Sequence, residues 1–167
     1  MKVINIGGKD YTFTYSVYAS LHAECIEKVT TFMAKLGETQ NKKDIYEFLK
    51  GIADIPGTAM HMFYAGLLEY HGTYGAKSDR SVLEFDTAIN LMITYFEEHK
   101  TDGKGNFYEV LMELIEVMGD DGFFEQIGLE NVFAQITNTT KKVPKKPQDH
   151  KKTTKKTTKI TQEAGEK

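Results

Sequence analysis

The sequence predicts a mainly α-helical, bundle-like domain with a short N-terminal β-hairpin and a disordered Lys-rich C-terminal tail. Three observations support this fold class. Apolar residues recur every three or four positions between residues 16 and 136. Before them, apolar and polar residues alternate around Gly7-Gly8. Residues 138–167 include ten lysines and few apolar residues. The 167 residues therefore divide into a folded domain over 1–137 and a basic tail over 138–167.

The hairpin is predicted from two short β-prone segments, Val3–Ile6 and Tyr11–Tyr15. The segment between them, Gly7–Asp10, favours a tight turn because glycine tolerates positive φ. In the second strand the aromatic residues share one face, because side chains alternate along a strand. These residues are Tyr11, Phe13 and Tyr15. An isolated hairpin is marginally stable, so we expect helices to cover this face.

Two helices are predicted next. The first begins at Ser16 and continues to Leu36, where Gly37 can end it with a left-handed cap. Its mostly apolar stripe consists of Val17, Leu21, Glu24, Cys25, Lys28, Val29, Phe32, Met33 and Leu36. The second helix begins near Asn41, a good N-cap residue, and continues through Ile52.

A third and a fourth helix follow. The third has Pro56 in its first turn and an apolar pattern as far as the leucines at 67 and 68, and Gly72 and Gly75 mark its end. The fourth is predicted to start with a capping box, in which Ser81 is the N-cap and Glu84 lies three residues later.

The remaining helices are separated by a turn-forming stretch, Thr101–Gly105. Asn106 is then predicted to cap a fifth helix, which is apolar at 107, 110, 111, 114, 115 and 118. One or two short helices are predicted over residues 123–136, with an interruption at Gly128.

The charge is distributed unevenly. Residues 138–167 have a net charge of +7, whereas residues 1–137 have a net charge of -10. The chain lacks an apolar run of the roughly 20 residues that a membrane helix needs, and its N-terminus does not resemble a signal peptide. With Cys25 as its single cysteine, it is suited to a reducing compartment. We therefore expect a cytoplasmic protein that does not contact a membrane.

Motifs for catalysis, metals and cofactors are weak. The Gly-rich stretch 102–106 lacks the glycine spacing and the hydroxyl of a phosphate-binding loop. As a calcium loop it would place Lys100 at a ligand position, where an ammonium group cannot bind a cation. His22 and Cys25 are three residues apart, and on an apolar helix they are more typical of a core than of a zinc or nucleophilic site. We expect a non-enzymatic protein without a cofactor or a resident metal.

The chain is rich in adaptable apolar side chains, with seven Met, ten Phe and nine Tyr residues. Most should form the core, but Met is favoured on surfaces that accept varied helical partners. The candidate client-binding residues are therefore Met60, Met62, Phe63, Met112, Met118, Phe123 and Phe124.

Together these segments resemble the tail assembly chaperones of long-tailed bacteriophages of Gram-positive bacteria. The resemblance covers the hairpin at 3–13, the acidic helical stretches 107–116 and 118–125, and the Lys-rich tail. It implies a protein of the host cell cytoplasm that binds the tape measure protein and keeps it soluble while the tail tube assembles around it. Such a chaperone is absent from the mature virion. Self-association is left open.

The resemblance also gives the lysine pairs of the tail a second interpretation. Members of this family often have a longer form, made by a programmed frameshift, and that form would contact the tail tube protein. Adjacent lysines can be encoded by a slippery run of adenines. The candidate positions are Lys141, Lys142, Lys145, Lys146, Lys155 and Lys156. This interpretation would be excluded if none of these lysine pairs were encoded by an A-rich heptamer, or if the coding DNA had no overlapping downstream reading frame.

The main alternative is a small accessory nucleic-acid-binding protein that acts through its basic tail. A Lys-rich segment binds polyanions by releasing counterions. However, the tail lacks the arginines and aromatic residues that read or stack on bases, so such binding would be nonspecific and a nucleic-acid partner is disfavoured. Removal of residues 138–167 discriminates between the two functions.

Overall fold

The computed structural model describes residues 1–39 and 54–130, which form a mainly helical body with an N-terminal antiparallel hairpin. The fold class predicted from the sequence is confirmed for these residues. The elements are β1 (Lys2–Ile6), β2 (Lys9–Phe13), α1 (Val17–Ser20), α2 (Ala23–Thr39), α3 (Ile55–Leu67), α4 (Phe85–Glu98), α5 (Phe107–Asp120) and α6 (Phe123–Gln126). None of the described helices is both long and apolar enough to cross a membrane.

The centre of the domain is α3, which packs against α5, α2, α4, β2 and α1. No charged residue occurs between Asp54 and Glu69, so this helix has no side suited to water. Its buried residues are Ile55, Thr58, Ala59, Met62, Phe63, Ala65, Gly66 and Leu67. The surrounding helices and the hairpin thus share one hydrophobic core.

The hairpin has a two-residue turn that requires glycine. Gly7 and Gly8 have φ angles of 61° and 77°, and the register pairs Ile6 with Lys9. Two consecutive positive φ angles are typical of the turn that matches the twist of a hairpin. The predicted aromatic face is confirmed, because Tyr11, Phe13 and Tyr15 are all buried.

The hairpin approaches α3 closely at Gly66. The carbonyl oxygen of Gly66 accepts a hydrogen bond of 2.9 Å from the backbone N–H of Thr14. A β-carbon on this glycine would lie 3.0 Å from Phe13 Cδ1 and 3.1 Å from Tyr15 Cζ. The buried Tyr15 hydroxyl donates to the carbonyl oxygen of Met62 at 2.9 Å, and burial raises the pKa of Tyr15 well above its ordinary value.

The prediction of one long helix from Ser16 to Leu36 is wrong in two respects. The chain forms the short α1, turns at Leu21 and His22 through hydrogen bonds to the third residue before each, and restarts as α2. Ser16 caps α1 by accepting the N–H of Tyr18, but Val17 and Leu21 are exposed rather than part of a buried stripe. The second correction concerns the end of the helix, because α2 continues through Gly37 to Thr39.

The capping box predicted at Ser81 is also wrong. Helix α4 begins at Phe85 with Glu84 as its N-cap, and no side chain caps it. The Ser81 hydroxyl instead donates a hydrogen bond to Asp79 Oδ1 at 2.7 Å. It is therefore engaged by a neighbouring side chain rather than by a helix N-terminus. By contrast, the cap of α5 is confirmed, because the Asn106 side chain accepts the N–H of Glu109 at 3.0 Å.

The other helix ends agree in part with the sequence. Pro56 lies in the first turn of α3, as predicted, but the helix ends at Leu67, before Gly72 and Gly75. The predicted turn before α5 is present, and Gly128 follows α6 with a φ of 75°. Several predictions lie outside the described residues. They concern the helix from Asn41, residues 131–136, the domain boundary at 137 and the whole basic tail with its lysine pairs.

Candidate protein-binding surface

The structure places most of the predicted client-binding residues in the core rather than on a surface. The buried ones are Met62, Phe63, Met118, Phe123 and Phe124. Met60 is half-buried and packs against the core, whereas Met112 on α5 is 39% exposed. For Met62 and Phe63 a signal was present in the sequence, because α3 has no Asp, Glu, Lys or Arg and is apolar at most positions, as a largely buried helix is. Only Met60 and Met112 remain as accessible candidates.

Helix α5 positions Met112 beside a second exposed apolar residue, Tyr108. The two are four residues apart and therefore neighbours on one face of the helix. Tyr108 is 52% exposed. We call Tyr108 and Met112 the apolar strip. Sequence reasoning missed Tyr108, although its spacing from Met112 could have revealed it.

An acidic strip runs along α5 next to the apolar strip. It consists of Glu109, Glu113, Glu116 and Asp120. The residues are spaced by three or four, so their side chains lie along one side of the helix. Glu113 forms an ion pair with Lys2 of the hairpin. Within the described ranges the other three carboxylates have no ion-pair partner, so most of this strip is free to meet external cations.

Packing on the opposite side holds α5 in this orientation. The helix turns a broad apolar face toward the core and contacts α3 along it. This face consists of Val110, Leu111, Leu114, Ile115, Val117 and Met118. At its start, Phe107 meets Phe96 of α4 edge-on at a centroid distance of 4.8 Å. The two strips are thereby fixed on the outer side of the domain.

The region around α5 is strongly negative. Between residues 84 and 130 there are twelve Asp and Glu residues against two basic residues, Lys100 and Lys104. The described ranges together contain nineteen acidic and eight basic residues, so more than half of the acidity lies in the last third of the body. Such a distribution attracts cationic partners and repels polyanions.

A polar cluster near β2 contains Ser, His and Asp side chains, as a catalytic triad does, but its hydrogen bonds connect parts of the fold. His71 Nε2 accepts the backbone N–H of Thr12 at 2.8 Å, so the ring is neutral and has its proton on Nδ1. That proton is donated to Asp79 Oδ1, 3.0 Å away. Ser81 lies on the same side of the ring as Asp79, its hydroxyl 3.4 Å from Nδ1. In this conformation neither ring nitrogen is available to take a proton from a nucleophile.

The same cluster ties the hairpin to the loop after α3. Asp79 accepts hydrogen bonds from Ser81 and, at 2.9 Å, from Lys9 Nζ. Burial alone would raise the pKa of Asp79, but the hydrogen bonds from Ser81, Lys9 and His71 outweigh it and hold that pKa well below its usual range. We therefore regard this group as a clamp between β2 and the loop.

A pair of histidines brings together three segments that are distant in the sequence. His22 Nε2 and His61 Nδ1 are 3.1 Å apart, and the His61 ring stacks on Phe85 at 4.7 Å. Tyr64 meets His22 and Phe85 edge-on. Burial lowers the pKa of both histidines. No helical spacing connects positions 22 and 61, so sequence patterns gave no signal for this pair.

The described residues include one buried cysteine and no cluster of metal-ligating side chains. Cys25 is buried, and burial raises its pKa to about 12, so the thiol is protonated at neutral pH. Among residues 1–39 and 54–130, no group of three or more His, Cys, Asp or Glu side chains is arranged to share a metal ion. The interpretation of His22 and Cys25 as core and boundary residues agrees with their burial.

Comparisons with known proteins give no further guide to the site. No protein-family model matches the sequence, and neither the curated proteins nor the solved structures include a significant match. The candidate site is therefore defined by its own geometry, which is an exposed apolar strip beside an acidic strip on α5.

Proposed function

We propose that this protein is a phage tail assembly chaperone that binds the tape measure protein, keeps it soluble and promotes tail tube assembly around it. The sequence resemblance described above supports this function. The observation that carries it is the exposed pair Tyr108 and Met112 on a rigidly packed helix. The proposal includes a non-enzymatic role in the host cell cytoplasm and absence from the mature virion.

The physical basis is the covering of apolar helix surface. A long helical client exposes apolar stripes until its assembly partner encloses them, and such stripes aggregate. A Tyr–Met pair at i and i+4 can pack on one turn of such a stripe in the helix-in-groove manner. The two side chains are about half exposed, so their burial contributes only about 1–3 kcal/mol in all. Affinity for one copy is then modest, and many copies on one client are needed to protect it.

The acidic body suits the same role. A net negative charge keeps free copies apart and keeps a coated client in solution. The acidity is concentrated in residues 84–130, around the proposed binding helix. A client coated with many copies would therefore gain net negative charge.

The proposal is tested by diluting a denatured tape measure protein into buffer with the full-length chain and recording light scattering. We expect the wild-type protein to suppress scattering and the double variant Tyr108→Ser/Met112→Ser to lose most of this activity. A matched control, Val17→Ser/Leu21→Ser, removes two apolar side chains that are even more exposed, on another surface, and should behave as wild type. Equal loss in both variants, or no suppression by the wild type, would contradict the proposal.

The nucleic-acid alternative leads to a different outcome. The described residues have an excess of eleven negative charges, so polyanion binding would depend on residues 138–167. Deletion of those residues should leave suppression of client scattering intact if the protein is a chaperone. A truncated protein that loses its function together with salt-sensitive polyanion binding would favour the alternative. The contact of a longer frameshift product with the tail tube protein is part of the proposal, and the coding DNA at the lysine pairs tests it.

A further inference from the structure

We propose that the two strips of α5 select a basic amphipathic helix, with Lys or Arg along one flank of its apolar stripe. The inference rests on the proposed function and specifies the chemistry of the client segment. The apolar strip would pack against the stripe of the partner helix. The acidic strip would bind the cationic flank.

The positions of the strips follow from helix geometry. Successive residues are rotated by about 100°, so Tyr108 lies about 40° to one side of Met112. On the other side, Glu116 lies at about 40°, Glu109 at about 60° and Asp120 at about 80°. Beyond Tyr108 the helix turns into its buried face, which begins at Ile115 and Leu111 and packs in the core. Negative charge therefore lines only one flank of the apolar strip.

The shortage of ion-pair partners along the acidic strip favours a cationic partner. Glu113 already has a partner, Lys2, and its side chain is only 24% exposed. The carboxylates of Glu109, Glu116 and Asp120 form no ion pair with any described residue. Three neighbouring negative charges repel one another, and a partner with two or three cations at helical spacing relieves that repulsion. An acidic or neutral helix with the same apolar stripe lacks this gain.

The inference is tested by fluorescence anisotropy with the full-length protein and two synthetic helical peptides of about 18 residues. Both peptides have leucines at i, i+3, i+4 and i+7, and one flank is lysine in the basic peptide and glutamate in the acidic peptide. We expect the basic peptide to bind at least tenfold more tightly at low salt and to lose that advantage as the salt concentration rises.

A variant of the acidic strip provides the specific control. Glu109→Gln/Glu116→Gln/Asp120→Asn removes three charges and keeps the shape of the side chains, and it should weaken binding of the basic peptide about tenfold. A matched triple variant removes three exposed carboxylates elsewhere and should change binding less than twofold. It consists of Glu27→Gln, Glu84→Gln and Glu125→Gln.

Three results would overturn the inference. The first is equal binding of the two peptides, or equal weakening by the two triple variants. The second is binding of the basic peptide only after residues 138–167 are deleted, which would assign the acidic strip to the tail of the same chain. The third is a dimer, detected by sedimentation, whose formation requires Tyr108 and Met112, since a second copy would then cover the apolar strip.

Failure of this inference differs from failure of the proposed function. If the acidic-strip variant loses the basic peptide but still keeps the tape measure protein soluble, the chaperone uses another surface and the inference is wrong. If the wild-type protein binds the basic peptide but does not keep the tape measure protein soluble, the chaperone function is wrong, and the preference of α5 for a basic helix stands.

Discussion

The approach of the hairpin to α3 at Gly66 leads to a quantitative prediction about stability. In Gly66→Ala the new β-carbon would lie 3.0 Å from Phe13 Cδ1 and 3.1 Å from both Cζ and the hydroxyl oxygen of Tyr15. Both rings are fully buried, and the Tyr15 hydroxyl is held by its hydrogen bond to Met62. Neither ring can move aside without disturbing the core, so the substitution should destabilise the protein.

The magnitude follows from two opposing terms. Overpacking a core by one methyl group costs typically about 1–3 kcal/mol. Alanine in place of glycine within a helix contributes about 1 kcal/mol in the stabilising direction. The net change for Gly66→Ala is then a loss of about 0–2 kcal/mol in the free energy of unfolding.

Gly57→Ala, in the same helix, is the matched control. Its new β-carbon would have 3.6 Å to Asp54 Oδ1 and 3.7 Å to Lys28 Nζ, which are ordinary contacts. This variant should therefore gain up to about 1 kcal/mol. Urea unfolding followed by circular dichroism should separate the two midpoints by about 1 M, with similar m-values. Equal stability of the two variants would refute the close packing of the hairpin on α3.

Three further predictions concern individual polar groups. Tyr15→Phe removes a buried hydrogen bond and should lower the free energy of unfolding by about 0.5–1.5 kcal/mol, measured by urea unfolding; an unchanged midpoint would contradict the geometry of this bond. Asn106→Ala removes the cap of α5 and should cost about 1 kcal/mol, seen as a lower Tm, whereas a Tm equal to that of the wild type would argue against the cap. The pKa values of His22 and His61 are lowered on folding, so the unfolded state binds more protons just below pH 6.5 and stability should fall on acidification through that range. Thermal unfolding of the wild-type protein between pH 7.5 and 5.5 should show this loss as a falling Tm. The double variant His22→Gln/His61→Gln should show a smaller fall in Tm over the same range. If the variant and the wild type lose Tm equally, the histidine pair does not couple to folding.

Local patterns predicted the elements whose signals lie within a few residues. The Gly7-Gly8 turn, the buried aromatic face of β2, the N-terminal turn of α3 at Pro56 and the cap at Asn106 all depend on neighbouring positions. Each is a case in which backbone preference and side-chain chemistry act on the same short segment. Tertiary contacts did not overturn them.

The failures arise from competing contacts within the local chain. Ser81 has the spacing of a capping residue, but Asp79 lies closer and takes its hydroxyl. The helix expected from Ser16 is divided by the turn at Leu21 and His22. The spacing of apolar residues does not predict where a helix is interrupted. Both errors arise where a polar or turning contact competes with an acceptable helical pattern.

The candidate site was predicted only in part for a different, tertiary reason. Composition identified Met and Phe as potential docking residues, but composition does not tell which face of a helix turns inward. The neighbours of α3 cover it on several sides, and Met62 and Phe63 became core. Met112 stays exposed, because α5 packs on α3 along one face only and Met112 lies on the other face. The histidine pair and the His71 clamp link positions 39 or more residues apart, beyond the range of any local pattern.

The most direct test of the chaperone role is co-expression of the full-length chain with the tape measure protein, followed by size-exclusion chromatography of the soluble fraction. We expect the tape measure protein to be soluble when the chain is co-expressed and insoluble without it. We also expect the two proteins to elute together, with several copies of the chain on each tape measure protein. A client that remains insoluble in the presence of abundant, folded chain, or that is soluble but elutes alone, would contradict the account.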